Sequence, residues 1–131
     1  MAISFQSALG IHEDALNVRV KRAEVLANNL ANADTPGFKA RDIDFKAALA
    51  GAMAPENGLA MQKTNSKQLG PGSQAEYDLL YRNPSQPSVD GNTVDTQVEM
   101  ASYLKNSMDY EASFQFLNGK FKSLTNAIRG D

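Results

Sequence analysis

"VLANNLANADTPGFK", residues 25–39, carries a helix to its end and stops it. Asn28, Asn29 and Asn32 crowd its last turns. Asparagine is a mediocre helix former, because its amide competes for backbone hydrogen bonds. Thr35-Pro36-Gly37 then closes the segment. Proline pushes the residue before it out of helical geometry, and glycine supplies a positive φ at low cost.

Reading upstream, the helical pattern extends from about Ser4 to about Ala33. Phe5, Leu9, His12, Leu16, Arg19, Ala23, Leu26, Leu30 and Ala33 alternate spacings of four and three, which is a heptad seam. A second line lies one residue behind it: Ile11, Ala15, Val18, Arg22, Val25, Asn29 and Asn32. Together they make a wide apolar face, able to touch more than one neighbour. At about 1.5 Å per residue such a helix is roughly 45 Å long.

The other end of the chain reads the same way. Met100, Tyr103, Ser107, Tyr110, Phe114, Leu117, Phe121, Leu124 and Ile128 hold the heptad spacing, and they predict a helix from Thr96 to Arg129. Thr96 and Glu99 have the spacing of a capping box. Phe116 stands off the stripe, on a side with Lys105, Asp109 and Lys120, as an isolated exposed residue or a contact for another chain.

Between the helices, nine glycines and prolines from Gly51 to Gly91 leave room for only short regular pieces. Phe45 to Met53 suits a helical turn or two, and Leu59 to Lys63 or Ala75 to Tyr81 a short strand. The fold class that follows is mainly α: long N- and C-terminal helices packed as a coiled-coil hairpin, with a long irregular middle segment. The divisions are 1–38, the first helix and its turn; 39–93, the middle; and 94–131, the second helix. If the two main stripes pack together, the second line of the first helix and Phe116 stay uncovered. A two-helix layer has nothing left to cover them, so self-association is expected. The amides Asn29 and Asn32 then have two open readings. They are solvated or end the helix, or they face a neighbour and fix its register.

The totals exclude several classes. A formal charge of −2 over 131 residues, with no run of like charge, gives no electrostatic case for nucleic acid. The absence of cysteine removes disulfides and thiolate metal sites. "MAISFQSALGIHED", residues 1–14, has no cationic start or apolar run of a cleavable signal peptide, and no stretch approaches the length of a membrane insertion. His12 reads as a packed histidine on an apolar seam. Asp42 and Asp44, around Ile43, read as a solvated turn face. No catalytic group, cofactor site or metal site emerges.

"EVLANNLANADTPGFKARDIDF", residues 24–45, resembles the signature of the bacterial flagellar rod and hook axial proteins, and its "KARDIDF" extension is similar to that of proximal-rod members. "YRNPSQPSVDGNTVDTQVEMA", residues 81–101, resembles the same family's entry to its C-terminal helix. The resemblance implies a non-enzymatic, self-assembling subunit of the basal-body rod, the drive shaft that crosses the periplasm. It implies export by the flagellar type III apparatus without a cleaved signal. The implied partners are copies of itself, the rod proteins FlgC, FlgF and FlgG, the adaptor FliE and the MS ring protein FliF. The implied assembly surface takes in Leu9, Leu16, Val18, Val25, Leu26, Asn29, Leu30 and Asn32 on the first helix, and Pro36, Gly37 and Phe38 at the turn. On the second helix it takes in Tyr110, Phe114, Phe116, Leu117, Phe121, Leu124 and Ile128. Two alternatives stand beside it: another axial protein of the rod, FlgC-like, and a soluble helical protein-binding module.

Overall fold

A computed structural model describes residues 9–53, 77–84 and 86–130. Helix α1 spans His12–Ala31, strand β1 Arg41–Ile43, helix α2 Phe45–Met53, strand β2 Leu79–Tyr81 and helix α3 Thr96–Arg129. The mainly helical hairpin expected from the sequence is therefore observed, with α1 and α3 packed antiparallel as its two arms. The strand considered at Leu59 to Lys63 lies outside the described residues, as does most of the first predicted helical turn.

The bounds of α3 match the heptad pattern at both ends. Its cap differs. Asp95, not Thr96, is the N-cap, and its carboxylate accepts from the backbone N–H groups of Gln97 and Val98. Glu99 is thereby released from a capping box and is buried instead. The helix ends at Gly130, with φ 78°. Helix α1 is shorter than its heptads suggested. It begins at His12, just after Gly10, whose φ of +58° belongs to a turn, not to a right-handed helix. Glu13 and Asp14 complement the positive end of the helix in its first turn.

The chain leaves α1 through Gly37, at φ 72°, and returns along it. β1 and β2 pair antiparallel, with Arg41 opposite Tyr81, Asp42 opposite Leu80 and Ile43 opposite Leu79. Arg82 N–H extends the ladder by donating to Ala40 C=O at 3.0 Å. This hairpin and α2 lie on α1. The second line of the first helix is consequently not left open, as the two-helix picture had it. Ala15 and Val18 join Leu26, Ala40 and Ile43 in the core.

The packed face of α3 also differs from its apolar stripe. Its least exposed positions are Glu99, Ser102, Asn106, Asp109, Ser113, Leu117 and Leu124, a heptad line dominated by polar residues. The stripe of Met100, Tyr103, Tyr110, Phe114, Phe121 and Ile128 is exposed. The two lines are offset by about one residue, roughly 100° around the helix. The physical reason is hydrogen-bond satisfaction: Glu99, Asn106 and Asp109 each find a polar partner across the seam, which the aromatic row would not supply.

Candidate assembly surface

The inward side of the hairpin is a polar clasp. Asn29, 1% exposed, sits at its centre. Its Nδ2 donates to Arg41 C=O at 2.6 Å and to Glu99 Oε2 at 3.0 Å, and its Oδ1 accepts from Arg41 N–H at 3.1 Å. One side chain thus binds α1 to the backbone of β1 and to the carboxylate of α3. The expectation that Asn29 faces a neighbouring subunit is corrected: its amide is fully engaged within its own chain, and so it answers the local backbone.

Around it stand four charged groups. Arg22 grips Asp42 with two parallel bonds, Nε to Oδ1 and Nη2 to Oδ2, both 2.9 Å. Arg82 bridges the two carboxylates, donating to Asp42 Oδ2 and, at 2.8 Å, to Glu99 Oε1. Fork-shaped guanidinium groups suit such bidentate and bridging roles. Burial alone would push the Asp42 carboxyl up, but hydrogen bonds from Arg22 and Arg82 outweigh it and hold the carboxyl below its ordinary value. The same bond to Asp42 raises the Arg22 guanidinium. Asp42 is thus no solvated turn residue; it is the point where α1, β1 and the segment after β2 meet. Lys39 and Arg41 take other roles, Lys39 Nζ donating to Gly91 C=O at 2.7 Å and Arg41 lying 5.3 Å from the Tyr81 ring centroid.

A second clasp closes the end of α1. Asn92 Nδ2 reaches three carbonyl oxygens left over by the helix end and turn, those of Asn32, Ala33 and Thr35, at 3.0, 2.7 and 3.0 Å. Its Oδ1 accepts from Val94 N–H at 2.8 Å. Asn32 donates back to Asn28 C=O at 2.8 Å, the local helix-terminating role that its position allowed. Near the other end, Arg19 bonds Asp109 at 3.0 Å and stacks 4.1 Å from the Phe45 ring centroid. It joins α1, α2 and α3. The half-buried His12 lies with its ring centroid 6.3 Å from that of Phe116.

The residues singled out in the sequence divide by accessibility. Val18, Leu26 and Asn29 are enclosed within the chain, so they act on an interface only through the shape of the subunit. Leu9, Leu16, Val25, Leu30, Asn32, Phe38, Leu117 and Leu124 are half-buried. Pro36, Gly37, Tyr110, Phe114, Phe116, Phe121 and Ile128 are exposed. Phe116 is 66% exposed, and Leu104 and Met108, which the stripe did not include, are exposed as well. Arg82, Asn92 and Asn106 were not singled out, and Glu99 was read only as part of a capping box. The one local signal for the last two was their seven-residue spacing, which matches Arg22 and Asn29 on the facing helix.

Among the described residues no group of three or more His, Asp or Glu could hold a metal ion, and no helix is long and apolar enough to cross a membrane. The arginines neutralise the buried carboxylates. What the site does chemically is hold segments in register and present an aromatic surface.

Comparison with known proteins identifies the family. The family described as "Flagella basal body rod protein" matches residues 9–39, from Leu9 through the turn. The FlgB rod protein of Aeromonas hydrophila is 51% identical, covering 100% of this chain and 99% of its own. That of Proteus mirabilis HI4320 is 43% identical over 95% of each, and that of Salmonella typhimurium 42% identical over 95% of this chain and 94% of its own. At such identity over both helices and the middle segment, the chain belongs to the FlgB family of flagellar basal body rod proteins, structural components of the bacterial flagellum.

Proposed function

We propose that this chain builds the proximal part of the rod by self-association, with the aromatic row of α3 as its principal contact. One observation carries the reading: Tyr103, Tyr110, Phe114, Phe121 and Ile128, along one side of α3, stand exposed on one subunit. Contiguous apolar surface of that kind marks an interface. Each large side chain contributes about 1.5–3 kcal/mol when a partner covers it fully. The half-buried Leu9, Leu16, Val25, Leu30, Leu117 and Leu124 extend the surface, and Pro36, Gly37 and Phe38 supply a contact at the turn. Residues 1–38 and 94–131 act as the helical core of the assembly, and residues 39–93 as its middle segment, of which β1 and α2 cover α1.

The partners are further copies of the chain and the rod proteins FlgC, FlgF and FlgG, with FliE and FliF at the base. The chain reaches the periplasm through the flagellar type III apparatus without a cleaved signal peptide, and there it forms part of the shaft that transmits torque. A chain without disulfides and held by polar clasps suits passage through a narrow channel, since no crosslink must be broken.

The test is complementation of a flagellated bacterium that lacks its own FlgB. The unsubstituted chain should restore rods and swimming. Phe121→Asp and Phe114→Asp should be made in normal amounts, with unchanged circular dichroism, and build no rod. Full motility with both changes present would remove the aromatic row from the interface.

A further inference from the structure

Strand β1 has both of its edges occupied. One edge carries the ladder to β2, and on the other the Asn29 side chain takes the N–H and C=O of Arg41. Among the described residues β2 has only one edge occupied, the one toward β1. The bond from Arg82 N–H to Ala40 C=O makes those two residues a hydrogen-bonded pair. In an antiparallel ladder such pairs alternate with pairs whose backbone groups point away from the partner strand. Arg41 with Tyr81 and Ile43 with Leu79 are pairs of that second kind. The N–H and C=O groups of Leu79 and Tyr81 therefore point outward, and Leu79, Leu80 and Tyr81 are all exposed. Outward backbone groups along a strand with exposed apolar side chains form a template for strand addition, and an extended backbone is what matches their spacing.

The side chains beside that edge narrow the occupant. Asp78 and Leu80 lie on one side of the strand and help to wall a cavity of about 380 Å³. Its opposite wall is α2, with Ala47, Ala48, Gly51 and Ala52, and Asp44 where the helix begins. The lining thus joins small apolar residues to two carboxylates, and no lysine or arginine lies among it. A lysine or arginine entering from a neighbouring strand satisfies both parts, with its aliphatic stem along the alanines and its charged head at the carboxylates. An acidic side chain meets like charge there, and a wholly apolar one takes water from the carboxylates and gives nothing in return.

We propose that the outer edge of β2 docks an extended segment of another protein, and that this segment carries a lysine or arginine on the side of Asp78 and Leu80. The segment's backbone pairs with the N–H and C=O groups of Leu79 and Tyr81. Its basic side chain enters the cavity, and the residues before and after it lie against Leu79 and Tyr81. A proline in the paired stretch is rejected, because it has no N–H to donate. This surface uses none of the aromatic residues of α3 and stands whether or not they form the rod contact.

The probe is the peptide acetyl-Thr-Val-Arg-Val-Thr-amide, added to the purified full-length chain, with amide hydrogen exchange followed residue by residue by nuclear magnetic resonance. In the chain alone the amides of Leu79 and Tyr81 should exchange readily, and saturating peptide should slow both about tenfold or more. Glutamate in place of the peptide's arginine should weaken binding about threefold or more, and Asp78→Asn in the chain should narrow that difference. Tyr81→Pro removes one outward N–H and leaves the bonds to β1, so it should abolish binding with unchanged circular dichroism. Amides of Leu79 and Tyr81 already protected in the dilute chain would overturn the proposal, since the chain then covers its own edge. Protection that rises with chain concentration alone would also overturn it, in favour of a second copy. Equal binding of the two peptides, or no slowing at Leu79 and Tyr81 with either, would refute the basic extended segment.

Discussion

Asn29→Ala is the sharpest probe of how the subunit is held together. The substitution removes three hydrogen bonds at once. It leaves Arg41 N–H and C=O without their partner, and it strips a donor from a carboxylate whose side chain is 2% exposed. A neutral hydrogen bond contributes a net of about 0.5–1.5 kcal/mol, and one to a charged group about 1.5–3 kcal/mol. Glu99 keeps its bond to Arg82, and a small void beside β1 admits water, so part of the loss is recovered. The expected destabilisation is about 2–4 kcal/mol. Urea unfolding followed by far-ultraviolet circular dichroism measures it. With a slope of about 1–1.5 kcal/mol per molar, the midpoint should fall by about 1.3–4 M. Asn28→Ala, one residue away and exposed, is the control and should shift stability by no more than about 0.5 kcal/mol. Asn29→Asp adds a sign. It sets a second carboxylate against Glu99, so at neutral pH it should be worse than alanine. The like charge raises the folded pKa of the pair, so the defect should shrink as the solution is acidified. Equal stability for Asn28→Ala and Asn29→Ala would refute the clasp, because the burial and the bonds are all that distinguish the two amides.

Asp42→Asn should cost about 2–4 kcal/mol, since Arg22 loses a bidentate partner and Arg82 one of two. The folded pKa of Asp42 is lowered, so its contribution is complete above its ordinary value of 3.8 and disappears as pH falls through the lower folded value. An acid titration of stability should therefore be shallower below pH about 4 in the variant than in the parent. Asn92→Ala should lower stability by about 1–3 kcal/mol and speed hydrogen exchange at Gly37 and Phe38, since three carbonyl oxygens lose a shared donor. Gly37→Ala should cost about 1–2 kcal/mol through backbone strain alone, because φ is +72° and the added methyl meets nothing within 4 Å.

Heptad spacing located both arms of the hairpin, and α3 begins and ends about where the pattern put it. The stop at Thr35-Pro36-Gly37 was equally plain, because proline and glycine act through local sterics. Gly10 was read through: one glycine in a periodic stretch does not announce a turn. The face of α3 that packs inward was legible only at Leu117 and Leu124. Apolar periodicity marks the surface that gains most from burial, and it does not say which molecule buries it. Here the inward line is chosen by hydrogen-bond partners remote in sequence, Arg82 for Glu99 and Arg19 for Asn106 and Asp109. No local pattern pairs residues so far apart. Asp42 was misjudged for the same reason, because both of its arginines lie at least 20 residues away.

The division of chemistry between the two sides of α3 has a consequence for assembly. Hydrophobic burial is strong and non-directional, whereas buried hydrogen bonds and ion pairs are directional and contribute little net stability. A subunit that spent its aromatic residues on its own seam would close on itself and keep nothing to bind a neighbour. With Asn29, Glu99 and Asn106 inside and Asp109 at the edge of the seam, the hairpin gains a defined register from bonds that fail if α3 slides by one residue. Phe114, Phe116 and Phe121 stay outside, so the larger free energy is released only when subunits meet. Replacing Phe114 and Phe121 with serine should therefore leave α3 helical and the urea midpoint of the single subunit unchanged, and abolish the rod in electron micrographs.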